Sequence, residues 1–222
     1  MSLILNIDTA LDRASVCLAK DSTVLELAIN ENQKDHATWL HTTIGEMFKA
    51  SGHSVEQLNA VAVTIGPGSY TGLRVGLAAA KGLCYALKIP LIAINTLELI
   101  AFSAKNEATG LICPMIDARR MEVFTALYDK DLNQQQAPSA LIIDENSFAT
   151  ILSQNDVLFC GNGRQKFQAI CSNPRANFSG NVADAAHLAQ LSFPRYSKKD
   201  FTELAYTEPL YIKEFYSPER RD

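Results

Sequence analysis

The sequence predicts an α/β protein built from two related lobes, and three observations support this prediction. A chain of 222 residues with 47% hydrophobic residues can bury one large core or two small ones. The N-terminal part of the chain predicts an antiparallel meander followed by helix, strand, helix and strand. A looser copy of that order follows the polar stretch at residues 105–110. We therefore expect one lobe at residues 1–105 and a second at residues 106–222.

Residue patterns predict the elements of the first lobe in detail. Short apolar runs bounded by turn residues predict strands, and apolar residues at helical spacing predict helices. The expected strands are Leu3–Asp8, Ala14–Ala19, Thr23–Ile29, Ala60–Ile65 and Leu91–Ile94. The expected helices are His36–Ser51, Tyr70–Lys88 and one from Asn95 or Thr96 to about Ser103.

The second lobe is predicted on the same grounds but with weaker patterns. Its expected strands are Leu111–Asp117, Glu122–Tyr128, Ala140–Ile143 and Val157–Cys160. Its expected helices lie near residues 145–153, 165–171 and 182–193. The first two of these strands should form a hairpin around Ala118-Arg119-Arg120.

Composition excludes several functional classes. The formal net charge is −4 and the longest basic run is Arg220-Arg221, so we expect no independent binding of DNA or RNA. Five widely spaced cysteines without a C-x-x-C pair predict reduced, mostly buried thiols and no zinc knuckle. Asp8 interrupts the apolar N-terminus, and no other stretch is long enough to span a membrane. We therefore expect a cytoplasmic protein with no membrane association.

The most informative segment is a glycine-rich turn with a small-residue helix behind it, residues 66–83. Such a segment can hold a phosphate at a helix N-terminus, or it can allow another helix to approach closely. It matches neither G-x-x-x-x-G-K-[ST] nor G-x-G-x-x-G, because Leu73 follows Gly72 and the third glycine comes one residue late. The spacing therefore favours a tight turn that needs positive φ or close backbone approach.

The helix at Tyr70–Lys88 is apolar around roughly 220° of its circumference, about twice the arc that one sheet covers. This excess predicts a second buried contact, either with a partner protein or within the monomer. Trp39 lies off the apolar stripe of the preceding helix and is a candidate partner anchor. The predicted partner interface comprises Trp39, Thr43, Tyr70, Gly72, Leu73, Gly76, Ala80 and Leu83.

Five segments of the chain occur in an order typical of one family. They are Ile7-Asp8-Thr9, residues 66–83, Ile116-Asp117-Ala118-Arg119, Gly161-Asn162-Gly163 and Glu208-Pro209-Leu210-Tyr211-Ile212-Lys213. Together they resemble the TsaB family, formerly called YeaZ, over nearly the whole chain. The resemblance implies an actin-like ATPase fold of the kind found in sugar kinases and Hsp70.

The same resemblance implies a non-catalytic scaffold that supports modification of tRNA to N6-threonylcarbamoyladenosine beside the anticodon. The implied partners are a catalytic paralogue, TsaD, and a small P-loop ATPase, TsaE. A homodimer is expected in isolation, and tRNA is expected to be met only through the complex. The two interface helices would then form half of a four-helix contact with the equivalent pair of a partner.

Catalytic alternatives find less support in the residues. His36 and His41 are five residues apart, so they do not form the H-x-x-x-H metal pair of the catalytic paralogue, and no catalytic or metal-binding residue is predicted. The rival hypothesis is an actin-fold small-molecule kinase or ATPase with a degenerate phosphate site. Ala118 and Arg119 stand where that site needs glycines, so no cofactor is expected, while weak ATP or ADP binding stays open. The residues of this vestigial nucleotide site would be Asp8, Thr9, Gly66, Gly68, Asp117 and Arg119.

Overall fold

The structure, a computed structural model, describes residues 1–32 and 36–213, with the side chain of His36 outside the described part. Within these residues, ten strands form two sheets: β1 Leu3–Asp8, β2 Ala14–Lys20, β3 Thr23–Asn30, β4 Ala60–Gly66, β5 Leu91–Asn95, β6 Leu111–Asp117, β7 Glu122–Tyr128, β8 Gln134–Ile142, β9 Val157–Cys160 and β10 Ala176–Phe178. The α-helices of the described part flank them: α1 His36–Ser51, α2 Tyr70–Leu87, α3 Thr96–Ala104, α4 Ala149–Leu152, α5 Arg164–Gln168 and α6 Ala185–Ser197.

The two sheets have the same topology. In the first sheet the strand order is β3-β2-β1-β4-β5, with an antiparallel meander joined to two parallel strands. In the second sheet the order is β10-β9-β6-β7-β8, which repeats that arrangement. The predicted two-lobed α/β architecture is therefore confirmed, and so is the helix and strand order of the first lobe.

The sequence patterns do not predict β10, and they predict only the C-terminal part of β8. β10 has only three residues, Ala176-Asn177-Phe178, which is too short to show an alternating pattern. β8 begins at Gln134, although its polar start Gln134-Gln135-Gln136 gives no hydrophobic signal. Both are edge strands, which proteins often keep short or polar because one side of the strand has no partner.

The first sheet is covered on both faces, which explains the continuous apolar run of β1. Leu5 and Ile7 face the core shared with α1 and α2, whereas Ile4 faces the core shared with α3 and α6. All six residues of β1 are buried. Successive side chains of a strand point to opposite faces, so burial on both sides removes the usual alternation of apolar and polar residues.

α6 returns to the first sheet, although its residues follow the whole second sheet. Ser192 donates a hydrogen bond from Oγ to Asn6 Oδ1 at 2.6 Å, and Arg195 contacts both carboxylate oxygens of Glu98 at 2.6 and 2.7 Å. The expected lobe at residues 106–222 therefore does not describe α6, which packs on strands of the first lobe. The apolar stripe of α6 predicts a helix but not the sheet against which it packs.

The second sheet carries its own aromatic core. Phe148, Phe159, Phe167 and Phe178 contact one another with ring centroids 4.8 to 6.3 Å apart on the face that α5 covers. The opposite face packs against α3, which lies between the two sheets. In the part of the chain that the structure describes, no helix is both long and apolar enough to cross a lipid bilayer.

The five cysteines are free thiols, and four of them are buried. Burial raises the pKa of the Cys17 and Cys113 thiols to about 12 and that of Cys84 to about 11. Burial likewise raises the pKa of Cys160. The thiolate is the reactive form, so these four groups should react slowly in the folded protein.

We predict that a disulfide reagent such as DTNB modifies one thiol rapidly in the native protein, at the partly exposed Cys171. The variant Cys171→Ser should lose this rapid phase and keep only slow reaction. Unfolding in guanidinium chloride should release all five thiols in the wild-type chain. Rapid reaction of two or more thiols per chain in the folded protein would contradict the burial of the other four cysteines.

Candidate functional site

The glycine-rich turn between β4 and α2 packs tightly against the loop that follows β1. A Cβ atom on Gly68 would lie 2.2 Å from the Ala10 carbonyl oxygen, and Ser69 N–H donates to that same oxygen at 2.7 Å. Ser69 caps α2, and its hydroxyl accepts the Gly72 N–H at 3.3 Å. The glycines here permit close backbone approach, as the spacing predicted.

The first two glycines of α2 face the inside of the same lobe. A Cβ atom on Gly72 would lie 2.0 Å from the Thr9 carbonyl oxygen, and one on Gly76 would lie 2.3 Å from Thr9 Oγ1. The Thr9 hydroxyl donates to the Gly72 carbonyl oxygen at 2.7 Å. This ridge therefore contacts β1 and its following loop, so Gly72 and Gly76 are covered within the monomer and are not available to a partner.

The other predicted interface residues divide in a similar way. Leu73 and Ala80 are fully buried beside these glycines, so they too face the sheet. Trp39 packs partly buried against the first core, and Thr43 is buried. Both lie about half a turn around α1 from His41, on the side away from α2. Tyr70 remains exposed at the start of α2, and only Leu83 lies where α1 and α2 leave an opening.

That opening is an apolar groove of about 810 Å³ between α1 and α2. Its lining is Ala37, His41, Ile44, Gly45 and Phe48 from α1, Val75, Ala78, Ala79, Gly82 and Leu83 from α2, and Val55. Gly45 and Gly82 are exposed, and a Cβ atom on either would have no atom of the described residues within 4 Å. We call this surface the α1–α2 groove.

A second ridge of small residues on α2 is the sequence feature that indicates the groove. Ala78, Gly82 and Ala86 follow one another at intervals of four along the exposed side of α2. Gly72, Gly76 and Ala80 have the same spacing on a ridge about 120° away around the helix. Helical spacing alone cannot decide which ridge faces the sheet. The packing of Thr9 against Gly72 decides it.

A second concave surface lies between the lobes, with a volume of about 740 Å³. The first lobe lines this interlobe cleft with Ala10, Leu11, Asp12, Gly68, Ser69, Tyr70 and Thr71. The second lobe contributes Ile116, Asp117, Ala118, Arg119, Phe124 and Asn162. Of the predicted nucleotide residues, Gly68, Asp117 and Arg119 therefore line the cleft.

The remaining three predicted nucleotide residues are committed to internal contacts. Asp8 Oδ1 accepts the Thr64 hydroxyl at 2.7 Å and the Ala10 N–H at 3.2 Å. Thr9 contacts the Gly72 carbonyl as described above. A Cβ atom on Gly66 would lie 2.6 Å from the Leu210 carbonyl oxygen, so this glycine accommodates another part of the chain. Asp8, Thr9 and Gly66 do not line the cleft.

The hairpin tip on the other side of the cleft is held by Asp117. Its carboxylate accepts the Lys166 ammonium and the Arg119 N–H, both at 2.6 Å. Although partial burial alone would raise the pKa of the Asp117 carboxyl, these donors hold it below its usual value. Arg119 and Arg120 both have positive φ, at 68° and 49°, a region that favours glycine. Side chains therefore stand where a phosphate cradle would present bare backbone.

The described residues contain no group of three or more His, Cys, Asp or Glu side chains placed to hold a metal ion. His187 instead contacts the N-cap residue of α6, with Nδ1 2.8 Å from Asp184 Oδ1. His53 contacts Gln57 at 3.1 Å. These two histidines have local structural contacts.

We predict opposite effects for two alanine substitutions on α2. Gly76→Ala should destabilise the protein by about 1–3 kcal/mol, because the new methyl group would displace Thr9 from Gly72. Gly82→Ala should stabilise it by up to about 1 kcal/mol, because alanine favours a helix and meets no neighbour there. Urea unfolding measures both, and a destabilised Gly82→Ala monomer would contradict the open placement.

We predict that Asp8→Asn becomes more stable relative to the wild type as the pH rises from 4 to 8. Burial raises the pKa of Asp8 above the value near 3.9 expected for the unfolded chain, against the opposing hydrogen bonds from Thr64 and Ala10. The stability that protonated Asp8 contributes is therefore lost as the pH rises through the folded-state pKa. The asparagine oxygen retains both hydrogen bonds without ionising. Parallel urea titrations measure the free energy of unfolding of both proteins, and a fall in the stability of Asp8→Asn relative to the wild type between pH 4 and pH 8 would refute the prediction.

Comparison with known proteins places these features in a family. The model of the family described as "TsaD: tRNA N6-adenosine threonylcarbamoyltransferase" matches residues 28–209. A Bacillus subtilis protein named tRNA threonylcarbamoyladenosine biosynthesis protein TsaB is 33% identical over 71% of this chain and 70% of its own length. The protein of that name from Escherichia coli is 38% identical over 59% of this chain and 56% of its own length.

Solved structures show the same fold. YeaZ from Pseudomonas aeruginosa superposes with a TM-score of 0.80 at 24% identity, covering 95% of this chain and 100% of that chain. A ROK family protein from Streptococcus pneumoniae, solved with sucrose, superposes with a TM-score of 0.51 at 9% identity, covering 89% and 99%. The expected actin-like ATPase fold is thereby confirmed. With the fold, the family-model match and the curated relatives in agreement, the chain belongs to the TsaB (YeaZ) family.

Proposed function

We propose that this chain acts in tRNA threonylcarbamoyladenosine biosynthesis as a non-catalytic subunit that binds and activates the catalytic paralogue TsaD. The names of its curated relatives support the pathway. The α1–α2 groove supports the binding role, because it is an apolar surface that the monomer leaves open. Apolar surface of this kind is characteristic of protein interaction sites.

The observation that carries the proposal is the pair of open glycines facing the groove. Gly45 and Gly82 lie within helices, where each costs about 1 kcal/mol of stability relative to alanine. None of the described residues uses the space above them, since a Cβ atom would meet no heavy atom of residues 1–32 or 36–213 within 4 Å. A partner helix that approaches the two backbones closely would explain both residues.

The proposed occupant is the equivalent helix pair of TsaD. The match to the TsaD family model supports a shared fold, so the paralogue would present two helices in corresponding positions. Two such pairs form a four-helix contact around a dry centre, and the groove lining is apolar apart from His41. A second copy of this chain offers the same surface, so a homodimer would compete with the complex.

The further partners follow from the same assignment. TsaE would join the assembled pair as the P-loop ATPase of the pathway. With a net charge of −4, this chain gains little from direct contact with tRNA phosphates, so tRNA would be held mainly by its partners. The non-catalytic role is supported by Asp8, whose carboxylate lies buried on Thr64 and Ala10 and does not line the interlobe cleft.

We predict that Gly82→Leu weakens binding to TsaD while the chain stays folded. The added side chain would fill the groove where the partner backbone must approach, whereas the monomer has open space at this position. Calorimetric titration with purified TsaD measures binding, and reconstituted tRNA modification measures function. The affinity for TsaD should fall at least about tenfold, which corresponds to about 1.4 kcal/mol of binding free energy. The rate of tRNA modification should fall with it.

The matched control is Ala50→Leu, which adds a similar side chain to the exposed far side of α1. This variant should bind and support modification like the wild type. Unchanged binding by Gly82→Leu would refute the groove as the interface. Catalytic turnover of ATP or a small substrate by the isolated chain, with a rise of several degrees in melting temperature in Mg-ATP, would instead support the kinase alternative.

A further inference from the structure

The chain after α6 crosses from the first lobe to the second. Residues 207–213, which we call the strap, begin beside α2, where the Lys81 ammonium donates to the carbonyl oxygens of Ala205 and Thr207 at 3.3 and 3.1 Å. Leu210 N–H then donates to the Ile65 carbonyl oxygen at 2.7 Å. That oxygen lies at a register irregularity between β4 and β5, where the ladder between the two strands is interrupted.

Gly66 fits the strap rather than a phosphate. Its φ of 118° is strained for any side chain, and a Cβ atom would lie 2.6 Å from the Leu210 carbonyl oxygen. The first glycine of the glycine-rich turn therefore lets the strap lie directly against the end of β4. Close backbone contact of this kind restricts how the strap can move.

Next, the strap clamps the start of α2. The Tyr211 ring packs on the Tyr70 ring at a centroid distance of 5.3 Å, and the Arg74 guanidinium lies 3.9 Å from the centre of the Tyr70 ring. Arg74 Nε also donates to the Tyr211 hydroxyl at 3.1 Å. These three side chains form a stack. Since Tyr70 lines the interlobe cleft, the stack lies at the mouth of that cleft.

Finally, the strap attaches to the second lobe. The Lys213 ammonium contacts both carboxylate oxygens of Glu122, at 2.5 and 2.6 Å. Glu122 is the first residue of β7, and its carboxylate side chain is only 17% exposed. Its backbone carbonyl accepts Lys166, which also holds Asp117. Lys213 therefore joins the strap to the hairpin that forms the far wall of the cleft.

We propose that the strap is a clasp that fixes the angle between the two lobes and thereby the width of the interlobe cleft. The lobes already meet through the core around α3. A second attachment at the mouth of the cleft removes the rotation that one attachment would allow. Lys213 and Glu122 close the clasp on the second lobe, and the stack of Tyr70, Arg74 and Tyr211 anchors it on the first.

The test measures the distance between the lobes in the full-length chain without any partner, so its result does not depend on the proposed function. Spin labels are placed at Lys49→Cys and Asp131→Cys, two exposed positions in different lobes, in a Cys171→Ser background. The labelled protein is diluted with unlabelled protein, so that only distances within one chain are recorded by double electron–electron resonance. The intact chain should give one narrow distribution.

Lys213→Met should broaden the distribution and shift it to longer distances, because the strap then no longer attaches to Glu122. The matched control Lys198→Met, on an exposed lysine at the end of α6, should leave it unchanged. The double variant Lys213→Glu with Glu122→Lys should restore the narrow distribution. Cooperative urea unfolding checks that this double variant and Lys213→Met are both folded. An unchanged distribution in Lys213→Met, or a folded double variant that stays broad, would overturn the clasp.

Discussion

The close approach of α2 to the end of β1 is the contact on which the rest of this structure depends. Thr9 reaches into the first turns of α2, where its backbone and hydroxyl oxygens lie in the space that Cβ atoms on Gly72 and Gly76 would fill. The contact fixes the rotation of α2 about its own axis, because only the side without Cβ atoms can face Thr9. That rotation determines which residues of α2 face outward.

The consequence is that each side of one helix has a different neighbour. The inner side packs on the first sheet, the first turn lines the interlobe cleft, and Ala78 and Gly82 line the α1–α2 groove. Arg74 and Lys81 reach the chain that follows α6. The unusually wide apolar arc of α2 thus has two parts, one packed inside the first lobe and one lining the α1–α2 groove.

The glycine-rich turn shows how one sequence pattern can have several physical causes. Gly68 allows contact with Ala10, Gly66 allows contact with Leu210, and the helical Gly72 and Gly76 allow contact with Thr9. Each of these glycines therefore has a packing role within the described structure. At the tip of the hairpin between β6 and β7, the side chains of Ala118 and Arg119 stand where a phosphate cradle would present bare backbone N–H groups.

The sequence alone determined the two-lobed architecture and the elements of the first lobe, because strand and helix periods, capping residues and turns are local signals. It also identified α1 and α2 as the helices with surplus apolar surface. Only the tertiary structure decided which ridge of α2 is covered, since Gly72 and Gly82 have the same helical signature and differ only in their neighbours. The return of α6 to the first sheet and the contact of Lys213 with Glu122 join residues about 90 or more positions apart, which no local pattern encodes.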